Sequence, residues 1–326
     1  MIEPPRRTPH SLHDRLKQKL EEMESRGVIT QVNGPTDWVH NLVIVEKKDN
    51  SLRLCLDPRN LNKALKREHH QIPTTEDVIS RLGGKRVFSI FDQKDSFWQV
   101  LLDKESALMC TFNTPFGRYC FNRMPFGLSS ASEVLQSRNQ SAFGDLEGVH
   151  FIADDMIVAA ADEAQHDEIV GKLLKRARSC NVKFNQQKIQ WKVSEVSYMG
   201  HVVTAEGLRP DVAKVHAVTN LPIPTSKADL QRALGVFNYL SRFVPNMSTI
   251  TAPLRDFLKK DVQWQWHPDH EAAFNTLKQA ISQAPVLKFF EPSKPSVIQA
   301  DALKPTFARH GIPQELMADN MPLASV

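Results

Sequence analysis

The stretch Phe151-Ile152-Ala153-Asp154-Asp155-Met156-Ile157-Val158 constrains this chain more than any other. It places two adjacent carboxylates inside a run whose other residues read as buried strand. Like charges side by side in an apolar setting repel each other and lose hydration, so a cation or hydrogen bonds must compensate. A divalent metal would supply that compensation. A hairpin turn would also explain the pair, because Asp is a common turn residue. Taken alone, the stretch leaves both readings open.

A third carboxylate bears on the choice. Residues 87–91 form an apolar run of strand length that delivers Asp92 at its end, and a rigid strand end is a good place to hold a metal ligand. Asp92 and Asp154 meet only if their strands are neighbours in one sheet. Three carboxylates in one place suit magnesium, a hard cation that takes its remaining ligands from water and substrate phosphates. Two such ions can clamp both ends of an in-line phosphoryl displacement. Upstream lie Lys47, Lys48, Arg53, Arg59, Lys63, Lys66 and Arg67, which read either as a solvated face or as phosphate contacts.

The rest of the pattern mixes α and β. A chain of 326 residues, 41% hydrophobic and 24% charged, has length for two or three domains and a sizeable core. Its net charge of +4 permits a polyanionic partner without demanding one. No apolar run approaches the roughly 18 residues a membrane span needs, and residues 1–9 are polar and proline-rich, so an intracellular protein is expected. Cys55, Cys110, Cys120 and Cys180 are widely spaced and read as reduced core residues.

Leu12, Leu16, Leu20 and Met23 recur at helical spacing after Ser11-Leu12-His13-Asp14, which resembles a capping box. Strands are expected over 41–46 and 52–56 around a polar turn, and over 108–112 and 119–121 around Thr114-Pro115-Phe116-Gly117. Helices are expected over 76–82, from Ser129-Ser130 to 146, and over 163–179, with a strand over 196–204. Pro222 and Pro224 mark a linker, after which Ser226 to Asp229 opens a helix with Leu230, Leu234, Phe237 and Leu240 on one face. Helices over 254–260 and 271–281 follow. A last strand over 297–301 has no partner strand behind it.

Several ordered blocks resemble a known family. Pro35-Thr36-Asp37-Trp38-Val39, Cys55-Leu56-Asp57-Pro58-Arg59-Asn60-Leu61-Asn62, Thr111-Phe112-Asn113-Thr114-Pro115-Phe116-Gly117-Arg118-Tyr119, Arg123-Met124-Pro125-Phe126-Gly127-Leu128 and Tyr198-Met199-Gly200-His201 are similar to blocks of the reverse transcriptase region of Pol polyproteins from gypsy-like long-terminal-repeat retrotransposons. The likeness runs over residues 4–301. It implies an α+β right-hand polymerase fold with fingers, a palm with an antiparallel sheet, a helical thumb and a truncated ribonuclease H-like start. The implied divisions are fingers and palm at 1–221, thumb at 222–265, connection and first ribonuclease H-like strand at 266–301, and a disordered integrase-like remnant at 302–326.

The resemblance further implies an RNA-directed DNA polymerase that transfers nucleotides to a primer 3′-hydroxyl. Asp92, Asp154 and Asp155 map onto the catalytic carboxylates and would hold two Mg2+ ions, with Mn2+ as an alternative. Lys47, Arg53, Phe97, Phe126 and Gly127 map onto residues that hold the incoming deoxynucleoside triphosphate, with Phe97 as the ring under the sugar. The turn at Met199-Gly200-His201 matches the primer grip and the helix at 230–240 the thumb. The implied partners are an RNA or DNA template, a DNA primer and deoxynucleoside triphosphates, with no membrane.

Departures from the family also stand out. Ile152 replaces a frequent Tyr, Ser96 replaces Gly beside the nucleotide-binding aromatic, Ser132 replaces Pro, and 137–141 lacks the family pattern. Asp301 matches the first ribonuclease H carboxylate, yet 307–313 and 318–322 resemble the integrase core, with Asp319 at its second acid. A lone carboxylate from each centre predicts neither ribonuclease H nor integrase activity, and a disordered tail after residue 302. The alternative is a decayed remnant that binds nucleic acid without turnover.

Overall fold

A computed structural model describes residues 1–289 apart from 48 and 68, together with the backbone of 297–299 and 315–317. Helix α1 (His13–Ser25) buries Leu16, Leu20 and Met23 along one face. A 3-10 turn at His10–Leu12 precedes it and Leu12 makes no side-chain cap bond, so Ser11 and Asp14 do not form the expected capping box. Strand β1 (Ile29–Gln31) follows, then an antiparallel hairpin of β2 (Asn41–Glu46) and β3 (Leu52–Asp57). Short helices α2 (Arg59–Ala64) and α3 (Thr75–Ile79) come next, the second opened by a reciprocal capping box between Thr74 and Asp77.

After β4 (Val87–Asp92) the sequence pattern misleads once. Residues expected as strand at 108–109 belong to helix α4 (Lys104–Met109), because Asp103 accepts the Ser106 N–H and starts a helical turn. Strand β5 (Thr111–Thr114) therefore begins later; it pairs with β6 (Gly117–Phe121), and β1 completes that sheet. Helix α5 (Ala131–Phe143) stops at Gly144 instead of 146, and Ser130 caps it without a side-chain bond.

Strands β7 (Val149–Ile152) and β8 (Asp155–Ala160) form a tight hairpin, helix α6 (Glu163–Ser179) is capped by Asp162, and β9 (Gln190–Val193) returns to the sheet. The resulting four-stranded antiparallel sheet has the order β7-β8-β4-β9. Residues 196–204 are not one strand. Met199 and Gly200 adopt φ of 47° and 78°, which reverses the chain between β10 (Glu195–Tyr198) and β11 (His201–Thr204), and β12 (Gly207–Pro210) adds a third strand.

The C-terminal part is helical: α7 (Val212–Thr219), α8 (Lys227–Tyr239), α9 (Met247–Asp256) and α10 (Pro268–Ser282). Helix α9 starts well before the expected residue 254 and carries Pro253 inside it. The strand expected to lack a partner finds one: β13 (Val297–Gln299) pairs in parallel with β14 (Glu315–Met317). The remaining tail positions, including Asp301 and Asp319, lie outside the described residues. No described helix is long and apolar enough to cross a membrane.

Alternation along the sheet decides what each face meets, since successive strand side chains point to opposite sides. Phe88 and Ile90 of β4 and Ile157 and Ala159 of β8 enter a cluster with Val196, Tyr198 and the helices α8 to α10. Phe91, Met156, Val158 and Ala160 face the other way, against Phe143 of α5 and Ile169, Val170 and Leu173 of α6. A separate cluster joins α1 to Leu54, Leu56, Phe112 and Phe121. All four cysteines are free; Cys110 and Cys120 are buried as expected, whereas Cys55 is half-buried and Cys180 is exposed.

Candidate active site

The register of the central sheet brings the carboxylates together. Asp92, the last residue of β4, is the direct partner of Asp155, the first residue of β8. By alternation both lie on the face shared with Ile90 and Ile157, at the end where the strands stop. Asp154 follows Ala153 in the two-residue turn between β7 and β8, and the Asp154 carbonyl accepts the Gln93 N–H at 3.0 Å. The apolar core of the sheet is thus a rigid platform for three carboxylates at its rim.

Electrostatics records the crowding. Burial raises Asp155 to about 6, and the charges of Asp154 and Asp92 push in the same direction. Burial also raises Asp154, with Asp92 adding to the effect and Lys188 and Arg53 opposing it. One cation already answers: Lys188 Nζ donates to Asp92 Oδ2 at 2.8 Å, and that bond lifts the lysine above its ordinary value. Tyr198, fully buried beneath the site, has a hydroxyl with no hydrogen-bond partner, and burial and the Asp155 charge both disfavour its ionisation.

Among the described residues no three His, Cys, Asp or Glu side chains converge tightly enough to enclose a metal as they stand. At this site Lys188 occupies one oxygen of Asp92. The donor set nevertheless fits a divalent cation: three oxygen ligands, two of them held uncomfortably charged, beside an unsatisfied hydroxyl.

A second group of expected residues assembles beside them. Gly127 has φ of 113°, and a Cβ there would lie 2.0 Å from the Leu56 carbonyl oxygen, so only glycine lets this loop approach β3. The approach is fixed by Leu56 N–H donating to the Phe126 carbonyl at 2.8 Å and by Asn62, which bonds both the Gly127 carbonyl and the Ser129 N–H. Phe97 meets Phe126 edge-on at 5.0 Å, and the Arg53 guanidinium lies 5.2 Å from the Phe126 ring centre. Arg53, Phe97, Phe126 and Gly127 therefore form one wall. Lys47 stands apart at the tip of the β2–β3 hairpin, a tip tied to α1 by Arg15, which reaches Glu46 and the Asn50 carbonyl. Lys48 lies outside the described residues. Ser96 is buried in a 3-10 turn that follows Asp95 at φ of 49°.

The hairpin turn at Met199 and Gly200 is locked to α8. Tyr239 Oη donates to the Met199 carbonyl at 3.2 Å, Lys214 Nζ donates to Tyr239 Oη at 2.7 Å, and the His201 ring stacks on Tyr239. Sequence reasoning missed Lys188, Tyr198, Gln93, Gln136 and Asn139 around the carboxylates. A lysine in a polar stretch and amides on a helix carry no signal until the fold brings them to the site.

Another constellation lies on the opposite face of β4. Ser89 Oγ and His166 Nε2 are 2.8 Å apart, Lys192 N–H donates to Ser89 Oγ at 2.8 Å, and His166 Nδ1 faces Asp167 Oδ1 at 3.3 Å. The residue types are those of a nucleophilic triad. Ser89 and His166 are both 0% exposed, however, so nothing can reach the hydroxyl.

Residues 45–203 match the family model described as reverse transcriptase (RNA-dependent DNA polymerase). Residues 266–309 match that of the RNase H-like domain found in reverse transcriptase. The chain is 29% identical over 263 residues to the Transposon Tf2-3 polyprotein of Schizosaccharomyces pombe, covering 80% of this chain and 20% of the polyprotein. The Tf2-7 polyprotein of the same organism is 28% identical over the same length. This chain thus spans about a fifth of the curated relatives it matches. Among solved structures it is similar to the foamy viral protease-reverse transcriptase dRH in complex with double-stranded DNA, with a TM-score of 0.85 and 20% identity over 92% of this chain and 53% of that one. The foamy viral protease-reverse transcriptase in complex with RNA/DNA hybrid gives a TM-score of 0.81 over 91% of this chain and 40% of that one.

Proposed function

We propose that the protein, whose residues 45–203 match the reverse transcriptase family model and which is similar to retrotransposon polyproteins, is an RNA-directed DNA polymerase. The register that pairs Asp92 with Asp155 at the rim of a buried sheet, with Asp154 in the adjoining turn, carries this reading. Asp92, Asp154 and Asp155 would hold two divalent ions, magnesium or manganese, whose chemistry when bound is to lower the pKa of the attacking primer 3′-hydroxyl and neutralise the leaving diphosphate.

The chain's own residues do the rest. Arg53, held against Phe126, faces the triphosphate with a fixed positive charge. Lys47 at the hairpin tip adds a second. Phe97 lies under the sugar and disfavours a 2′-hydroxyl by steric exclusion, while Phe126 and the Gly127 backbone line the pocket. The Met199-Gly200 turn, latched to α8 through Tyr239, holds the primer. The template is RNA or DNA, gripped by basic side chains of the fingers and thumb. We propose that residues 266–326 by themselves carry neither ribonuclease H nor integrase activity, since within them Asp301 and Asp319 each map onto one acid of those centres; magnesium-dependent cleavage of RNA in a hybrid by those residues would overturn that part.

Primer extension on an RNA template with magnesium tests the main reading. Template-directed incorporation that Asp155→Asn abolishes supports it. Absence of incorporation, or incorporation indifferent to that substitution, sinks it, and a salt-sensitive gel shift surviving under those conditions would leave a protein that only binds nucleic acid.

A further inference from the structure

The turn that carries Asp154 is held by side chains that the metal-site reading does not use. Ala153 sits at φ of 52°, a left-handed conformation that costs a residue with a Cβ about 1–2 kcal/mol and persists only where its surroundings hold it. Both of its backbone polar groups go to helix α5. Ala153 N–H donates to Gln136 Oε1 at 2.8 Å, and Asn139 Nδ2 donates to the Ala153 carbonyl at 2.6 Å. Gln136 Nε2 also reaches the Phe151 carbonyl at 3.4 Å. Asn139 Oδ1 then accepts from Gln93 Nε2 at 2.8 Å, and the Gln93 N–H closes the circuit on the Asp154 carbonyl at 3.0 Å.

Gln93 follows Asp92 directly, so one network grips both strand ends that bear the carboxylates. Its three members are 1–3% exposed. Buried polar side chains on a core-facing helix cost free energy unless every group is satisfied. Apolar residues would pack there more cheaply if packing were the only demand. Amides suit the position for a chemical reason: the turn presents one donor and one acceptor, and an amide answers either without adding charge beside three carboxylates.

Resting on the proposed metal-dependent polymerase reading, we propose that Gln136, Asn139 and Gln93 are positioning residues that hold the Ala153-Asp154 turn, and with it the carboxylate set, in the geometry that binds metal. They touch no substrate. Their removal displaces Asp154 and leaves the nucleotide wall at Phe126 and Gly127 in place.

The test is titration of the full-length chain with Mn2+ alone, followed by its electron paramagnetic resonance signal, for wild type, Gln136→Met, Asn139→Leu and Gln93→Met. Bound Mn2+ should be about tenfold weaker in Gln136→Met and Asn139→Leu and about threefold weaker in Gln93→Met, with an altered signal from the remaining bound ion. In primer extension kcat should fall while KM for the deoxynucleotide stays constant, since the wall is untouched. A folded Gln136→Met that binds Mn2+ as wild type does, whatever its melting temperature, overturns the proposal while the metal site stands. If Gln136→Met and Asn139→Leu fail to fold, the milder Gln93→Met decides, and wild-type Mn2+ affinity there overturns it. A wild-type chain that binds no Mn2+ removes the metal site itself, and this proposal with it.

Discussion

Ser89 and Asp92 sit on the same strand, β4, and the difference between their surroundings separates a candidate site from a structural cluster. Ser89 faces α6, where the His166 ring, the Lys192 backbone and a layer of aliphatic side chains enclose it. Asp92 faces the other way at the strand's end, where the apolar cover stops and Asp154, Asp155 and Lys188 gather. The Ser89–His166–Asp167 arrangement has triad-like partners and no access. The aspartates are partly exposed at the rim, and Lys188 and Arg53 offset only part of their charge. Residue types therefore say less about chemistry than exposure and unbalanced charge do.

The strongest way to break this contrast is to remove Asp92. Asp92→Asn should reduce magnesium-dependent primer extension by at least about a thousandfold, equivalent to about 4 kcal/mol of transition-state stabilisation, with little change in melting temperature. Retained extension would mean that the rim of the sheet is not where the chemistry occurs.

The closed end should respond in the opposite sense. Ser89→Ala leaves His166 Nε2 and the Lys192 N–H without their partner in the core, at a cost of about 1–3 kcal/mol in urea unfolding. Extension by the protein that remains folded should persist, and no serine-directed fluorophosphonate should label wild type. Labelling at Ser89 would erase the distinction between the two faces.

The pH dependence of stability sharpens it further. Asp155 is raised to about 6 by burial first and then by Asp154 and Asp92, so the folded state binds its proton more tightly than the unfolded chain does. Its contribution to stability is complete below the ordinary value of 3.8 and is lost as pH rises through about 6. With a chelator present, Asp155→Asn should match wild type at low pH and gain over it as pH rises, reaching about 1–2 kcal/mol above neutrality once solvent screening is discounted. An advantage that fails to grow with pH would mean that neither burial nor the neighbouring carboxylates disfavour the Asp155 charge.

The smallest effect belongs to the outer edge of the closed cluster. Lys192 Nζ lies 2.9 Å from both Glu163 and Asp167, whose side chains are largely exposed. Lys192→Met should cost no more than about 1 kcal/mol, and the loss should shrink further in high salt. A larger loss would show that charge, and not burial, holds that end together.

Much of this arrangement was legible as pattern. The run ending at Asp92 read as buried strand and is β4, the run around Asp154 and Asp155 is two strands joined by the turn that the aspartate pair also allowed, and α6 spans the expected residues 163–179. The failures have local causes. The apolar residues 108–109 looked like strand, but the Asp103 cap made them helix. The run at 196–204 looked continuous, because a Met-Gly turn with positive φ leaves the hydrophobic pattern almost unbroken. The helix expected over 254–260 starts upstream at Met247 and accepts Pro253 within it.

What the sequence determined by itself was the inventory: one aspartate at a strand end and two adjacent ones inside an apolar run, a glycine after Phe126, and ordered blocks resembling one family. Each is a local property, set by residue type and spacing along the chain. Tertiary structure decided which carboxylate faces which, that Lys188 pairs with Asp92, that Gln136 and Asn139 reach the Ala153 turn, and that Ser89 and His166 are sealed. Those outcomes depend on strand register and on which helix covers which face of the sheet. Both are set by contacts between residues far apart in the chain, where local pattern carries no information.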